Sequence, residues 1–166
     1  LSAVRSFAPI ADPSARLLVL GSMPGVASLQ TGQYYAHPRN AFWPIMGQLF
    51  GFDAAAPYPV RVESLKAAGV AVWDVLQACV RPGSLDSAIE TGSRVPNDFP
   101  AFFAAHPDIA CVAFNGAEAE KSFNRLVLPG LGAHAFRLVR LPSSSPAHAV
   151  SLAAKTDAWG RIIRGQ

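Results

Sequence analysis

Four short stretches of the chain, Leu17–Leu20, Val70–Val75, Ile109–Phe114 and Phe136–Leu141, are nearly continuous runs dominated by Val, Leu, Ile and Phe. A strand with one wet face alternates apolar and polar residues. An unbroken run needs cover on both faces, as in a parallel sheet held between two helical layers. The intervening segments supply the helices. Val60–Ala68 stops at Gly69, and Asp98–Ala105 has Asn97 or Asp98 as its cap with Pro107 beyond its end. Ala117–Val127 carries Glu118 and Glu120 early and Arg125 late, which suits the helix dipole. A last helix is predicted from about Pro146 to Arg164, with Leu152, Trp159 and Ile163 at helical spacing. Strands alternating with helices imply right-handed parallel crossovers. The expected fold is therefore α/β, a three-layer α/β/α arrangement with a central four-stranded parallel sheet. At 166 residues, 51% apolar and 15% charged, the chain reads as one domain, residues 1–166, with a sizeable core.

Several function classes are excluded by the same residues. Cys79 and Cys111 each lie inside an apolar run, as buried thiols do, and too few ligands accompany them for zinc or an iron–sulfur cluster. No metal and no cofactor are expected. No apolar stretch approaches about 20 residues, so no membrane span is expected. The opening LSAVRSFAPI lacks the apolar run of a secretory signal, and the expectation is a cytoplasmic monomer. The first residue is Leu, which leaves room for further sequence ahead of it. A net charge of +3 permits a polyanionic partner without demanding one.

Ligands of such sheets bind outside the carboxyl ends of the strands. The chain's unusual residues sit there: Gly21-Ser22-Met23-Pro24-Gly25, Asp74, Asn115-Gly116 and Pro142-Ser143-Ser144-Ser145-Pro146-Ala147-His148. The first turn is neither a Gly-Lys-Ser/Thr phosphate loop nor a GxGxxG dinucleotide loop. The serine turn, at the predicted start of the last helix, reads either as an anion site for phosphate or as an ordinary cap by Ser145. No Gly-x-Ser-x-Gly elbow points to a serine hydrolase. The long connection from Gly21 to Gly69 packs Tyr34, Tyr35, His37, Arg39, Asn40, Phe42 and Trp43 into ten positions, a density that marks a functional loop.

A Gly-x-x-Pro-Gly turn after the first strand, joined to a Pro-Ser turn after the last, resembles the uracil-DNA glycosylase superfamily. GSMPGVASL, QYYAHPRNAFW, VWDVLQACVRPGSLDSAI, FNG and LPSSSPAHA together are most similar to its hypoxanthine-DNA glycosylase group, often called family six. The resemblance covers roughly residues 17–150. It implies hydrolysis of the N-glycosidic bond of a deaminated base flipped out of DNA, with hypoxanthine ahead of uracil, xanthine and mismatched thymine. Where other branches carry Asn, Asp or Glu inside the first motif, this chain has Met23, which neither accepts nor donates strongly. The resemblance assigns the attacking water instead to Asn40, whose amide orients water without being a true base. Asn40 also reads as a cap for a helix over Ala41–Phe50.

Asp74 and Asn115 are expected to read the base edge, although each also suits a strand end or turn. Phe42 is expected to stack on the flipped base, with Trp43 in the core and Tyr35 closing a pocket floored by residues 21–25. His37, Arg39, Ser143, Ser144, Ser145 and His148 are the candidate DNA contacts. Lys66, Lys121 and Lys155 read as exposed helix positions, so a monofunctional enzyme without a lysine nucleophile is expected. Two other readings stay open: a nucleotide- or flavin-binding module on a flavodoxin-like sheet, and a catalytically silent relative that binds damaged DNA.

Overall fold

The computed structural model describes residues 2–166. Its centre is a four-stranded parallel sheet of β2 (Leu17–Gly21), β3 (Val70–Asp74), β6 (Cys111–Asn115) and β7 (Arg137–Leu141), in the order β3-β2-β6-β7. Every residue of β2 and β6 is buried, which is why both strands read as unbroken apolar runs. Successive side chains point to opposite faces. Leu18, Leu20, Val112 and Phe114 pack in a cluster with Phe99 and Phe102 of α4 (Phe99–Ala105) and Phe123 of α5 (Ala117–Leu126). Leu17, Val19, Cys111 and Ala113 face the other way. They join Phe42, Trp43, Ile45 and Met46 of α2 (Phe42–Phe50), Leu65 of α3 (Tyr58–Ala67) and Trp159 of α6 (Leu152–Arg164). The expected three-layer α/β/α architecture is the one observed.

Three features depart from the sequence reading. The apolar stretch that begins at Val70 does not end with the parallel sheet. It bends at Val75 and continues as β4 (Leu76–Val80), which pairs antiparallel with β1 (Ala3–Arg5) and β5 (Val95–Pro96) in a second sheet. Two edge strands this short leave no periodic signal. The short helix α1 (Val26–Thr31), closed by Gly32 at φ 67°, was also absent from the prediction. Finally, the last helix starts at Leu152 rather than Pro146. Ser151 caps it by accepting from the Ala154 N–H at 3.1 Å, and residues 146–151 form an irregular approach.

Register brings the polar strand ends to one rim. Gly21 pairs with Asp74, and Asn115 with Leu141, so the glycine turn, Asp74, Asn115 and the serine turn all emerge on the same edge.

Candidate active site

The glycine turn is anchored from both sides. The Gly21 and Ser22 carbonyls accept from the N–H groups of Val75 and Leu76 at 2.8 and 3.0 Å, where β3 bends into β4. On the far side, buried Arg81 donates to the carbonyls of Met23 (3.4 Å), Pro24 (2.6 Å) and Gly83 (2.8 Å). Ser84 accepts from the Val26 N–H at 2.8 Å, and Asp86 accepts the Ser22 hydroxyl at 2.5 Å. Met23 itself turns its side chain into the core beside Leu20 and Phe114, so it offers the rim only backbone. Gly21 is required by space: a β-carbon there would lie 2.6 Å from Asp74 Oδ1 and 3.0 Å from the Tyr35 hydroxyl.

Those two groups form the heart of the rim. Asp74 is 3% exposed, and its Oδ2, like the Tyr35 hydroxyl, is sealed from solvent with no hydrogen-bond partner. Two orphaned polar atoms at one spot are unusual, because burying an unpaired polar group costs about 1–3 kcal/mol. Burial, reinforced by the neighbouring Asp86 and opposed by Arg81, pushes the Asp74 carboxyl up to about 7. Burial also drives the Tyr35 hydroxyl well above its ordinary range, with Asp74 adding to the shift and the nearby Asn115 side chain, which is not in hydrogen-bonding geometry with it, partly opposing it. Tyr35 is the one non-glycine residue among those described with positive φ, at 53°, which is uncommon for a bulky side chain. Its ring stacks on Phe42 at 4.1 Å and 20°.

The remaining predicted residues fall in three groups. Asn115 is tied reciprocally to Ser144: its Nδ2 donates to the serine hydroxyl at 2.8 Å and its Oδ1 accepts the serine N–H at 2.9 Å. The Ser144 carbonyl in turn accepts the Ala41 N–H at 2.9 Å, which brings Asn40 to the same rim. Asn40 Oδ1 accepts from the Phe42 N–H at 3.0 Å in a local turn one residue ahead of the cap position, which is Ala41 and not Asn40 as expected, and its Nδ2 has no bonded partner among the described residues. His37, Arg39 and His148 are exposed; Ser143 and Ser145 are half-buried. Ser143, His148 and Gly116 line a cavity of about 430 Å³ together with Asp86, Ala117, Glu118 and Lys121.

Several expectations need correction. Phe42 is fully buried with one face under Tyr35, because α2 turns it into the core against Trp43 and Trp159; it presents no free platform in this state. The serine turn is not a helix N-terminus, since the last helix begins seven residues past Ser145; Ser143 and Ser145 bond backbone N–H groups within the turn instead. Lys155 is not exposed. It is 3% accessible, its ammonium donates to the Ser145 carbonyl at 3.1 Å, and burial lowers its pKa. The sequence reading assigns no role to Arg81, Ser84 and Asp86. The available signal is RPGSLD, a Pro-Gly turn carrying Arg81, Ser84 and Asp86 directly after an apolar strand and inside a stretch that resembles the family pattern.

The model of the uracil DNA glycosylase superfamily matches residues 8–162, nearly all of the chain, including every residue of this rim. The chain belongs to that superfamily. It is 32% identical over 161 residues to a hypoxanthine DNA glycosylase of Methanosarcina barkeri, covering 96% of this chain and 98% of the relative. A hypoxanthine DNA glycosylase of Methanosarcina acetivorans matches with the same identity and coverage. Among solved structures, the solution structure of a candidate uracil DNA glycosylase from M. acetivorans superposes with a TM-score of 0.79. Its sequence is 30% identical, with 98% of this chain and 99% of that one covered. No helix among the described residues is long and apolar enough to cross a membrane.

Proposed function

We propose that this chain is a monofunctional DNA glycosylase that hydrolyses the N-glycosidic bond of a deaminated base, hypoxanthine before uracil or xanthine. The observation that carries the reading is the pair of sealed, unpartnered atoms at the rim, Asp74 Oδ2 and the Tyr35 hydroxyl, beside an aromatic stack. A buried acceptor with nothing to accept suits a ligand that brings a donor. Hypoxanthine does so with N1–H, whereas adenine presents a lone pair at that position and would face the carboxylate unfavourably.

In this reading Tyr35 is a placeholder for the flipped base. Its ring leaves Phe42 when the base arrives, helped by a backbone held in a sparsely populated conformation. The base then stacks on Phe42 over Gly21, which has no side chain to obstruct it. Asp74 accepts from the base edge, and Asn115, with capacity left beyond its bonds to Ser144, contributes a second polar contact. Asn40 Nδ2 orients the water. Cleavage builds positive charge on the sugar and negative charge on the base, and fixed dipoles at the rim stabilise both. His37, Arg39, Ser143, Ser145 and His148 supply the phosphate contacts that hold the strand.

Oligonucleotides carrying single deoxyinosine, deoxyuridine or deoxyxanthosine residues, incubated with the protein and then treated with alkali, test the reading. The deoxyinosine strand should break, and only after alkali. Lesion binding with no abasic product would show a non-catalytic relative. A borohydride-trapped adduct would show a lysine nucleophile and end the monofunctional assignment.

A further inference from the structure

Water attack on the sugar sheds a proton that the groups placed at the base and at the water do not take. Asn40 is an amide, Met23 is buried in the core, and Asp74 is committed to the base edge. Residues 81–86 bring another carboxylate to this place. They cross the glycine turn as a strap pinned by Arg81 and Ser84, and Asp86 receives the hydroxyl of Ser22, the residue directly before Met23. Asp86 also lines the 430 Å³ cavity whose opposite residues, Gly116, Ser143 and His148, belong to the strand ends assigned to DNA. It thus stands between the motif and the open groove, one hydroxyl away from the position where other branches of the superfamily carry a polar residue.

We propose that Ser22 and Asp86 form the proton-accepting pair of the hydrolysis, supplying from a separate segment what Met23 cannot. This rests on the glycosylase reading above. The C1′–N bond breaks with its electron pair leaving on the base, and the water oxygen bonds to C1′. The water's proton passes to Ser22 Oγ as the Ser22 hydroxyl proton moves to Asp86. Serine is unchanged, Asp86 is protonated until it exchanges with solvent, and the departing base anion takes a proton from solvent. Asp86 is an exposed residue whose carboxyl is partly shielded where it meets Ser22; that shielding and Glu118 raise its proton affinity, while the Ser22 hydroxyl, Arg81 and Arg94 lower it. Asp74 faces it from β3, and Lys121 of α5 and His148 share its cavity. Arg94 is itself paired with Glu118 at 3.0 Å.

Asp86→Asn keeps an oxygen able to accept from Ser22, so the strap stays pinned and only the proton acceptor is lost. Single-turnover excision of hypoxanthine from a deoxyinosine duplex should slow by roughly 10²-fold with half-saturation changed less than twofold. The acid limb of the rate–pH profile should become shallower, because one of two ionisations is gone, and Asp86→Glu should restore part of the rate. A rate within threefold of wild type and an unaltered profile would overturn the pair and reduce Asp86 to a staple. Should Asp86→Asn lower the unfolding midpoint, Ser22→Ala carries the same test, since it breaks the relay with Asp86 in place. A wild-type control that releases no base from any lesion would overturn the glycosylase reading and this proposal with it.

Discussion

Asp74→Asn is expected to make the protein more stable and less active. The Asp74 carboxyl is buried, one oxygen lacks a partner, and its pKa moves from 3.8 to about 7. Between those values the folded protein holds a proton that the unfolded chain has released. Stability from this group is therefore full below 3.8 and declines as pH rises, until it is lost above 7. At 1.36 kcal/mol for each tenfold change, the gap corresponds to roughly 4 kcal/mol against folding in alkaline solution. Asparagine carries no charge to desolvate, but its amide N–H₂ needs partners, so the net gain should be smaller, about 1–3 kcal/mol at pH 8. For a domain of this size that is a rise in melting temperature of roughly 3–10 °C. Melting followed by circular dichroism at pH 8 and pH 4 isolates the effect, because every other titrating group is common to both proteins. The advantage of the variant should be largest at pH 8 and at pH 4, where the folded carboxyl is protonated, should fall to zero or reverse by the cost of the unpartnered amide. Excision of hypoxanthine should fall roughly tenfold or more, since a charged acceptor is replaced by a neutral one. An Asn variant less stable than wild type at pH 8, or a difference independent of pH, would refute the claim that a buried, unpartnered carboxylate is held ready at this rim.

Three further substitutions probe the rim. Asn40→Ala should slow single-turnover excision by roughly 10²-fold through loss of water positioning, and full retention of rate would remove Asn40 from the mechanism. Asn115→Ala breaks both bonds to Ser144 and should lower stability by about 2–4 kcal/mol in urea titration; an effect under about 0.5 kcal/mol would show that the serine turn is held elsewhere. Gly21→Ala places a methyl 2.6 Å from Asp74 Oδ1 and should cost about 1–3 kcal/mol while nearly abolishing excision; a variant with normal activity would mean that the base does not pass over Gly21.

The sheet was legible because its central strands are buried on both faces, and burial writes itself into sequence as an unbroken apolar run. Once those strands were placed, the rim followed from topology, and Asp74, Asn115 and the two turns fell on it. Helix starts were harder. Pro146 after a serine looks like a helix beginning, yet Ser151 provides the bond that caps α6. The β4 strand was hidden because a bend at Val75 does not interrupt hydrophobicity. Which face an aromatic residue presents was also out of reach: Phe42 and Tyr35 differ in accessibility because of how α2 packs, not because of their types. The bonds from Arg81 and Asp86 to the glycine turn join residues 57–64 positions apart, and no local pattern announces them.

The most direct test of the account is a structure of the protein on a duplex containing 2′-fluoro-2′-deoxyinosine, whose glycosidic bond resists hydrolysis. The hypoxanthine ring should lie on Phe42, in the space the Tyr35 ring fills without DNA, with N1 within hydrogen-bond distance of Asp74 Oδ2. A base still stacked in the duplex, or seated in a groove away from Asp74 while Tyr35 keeps its place, would contradict it.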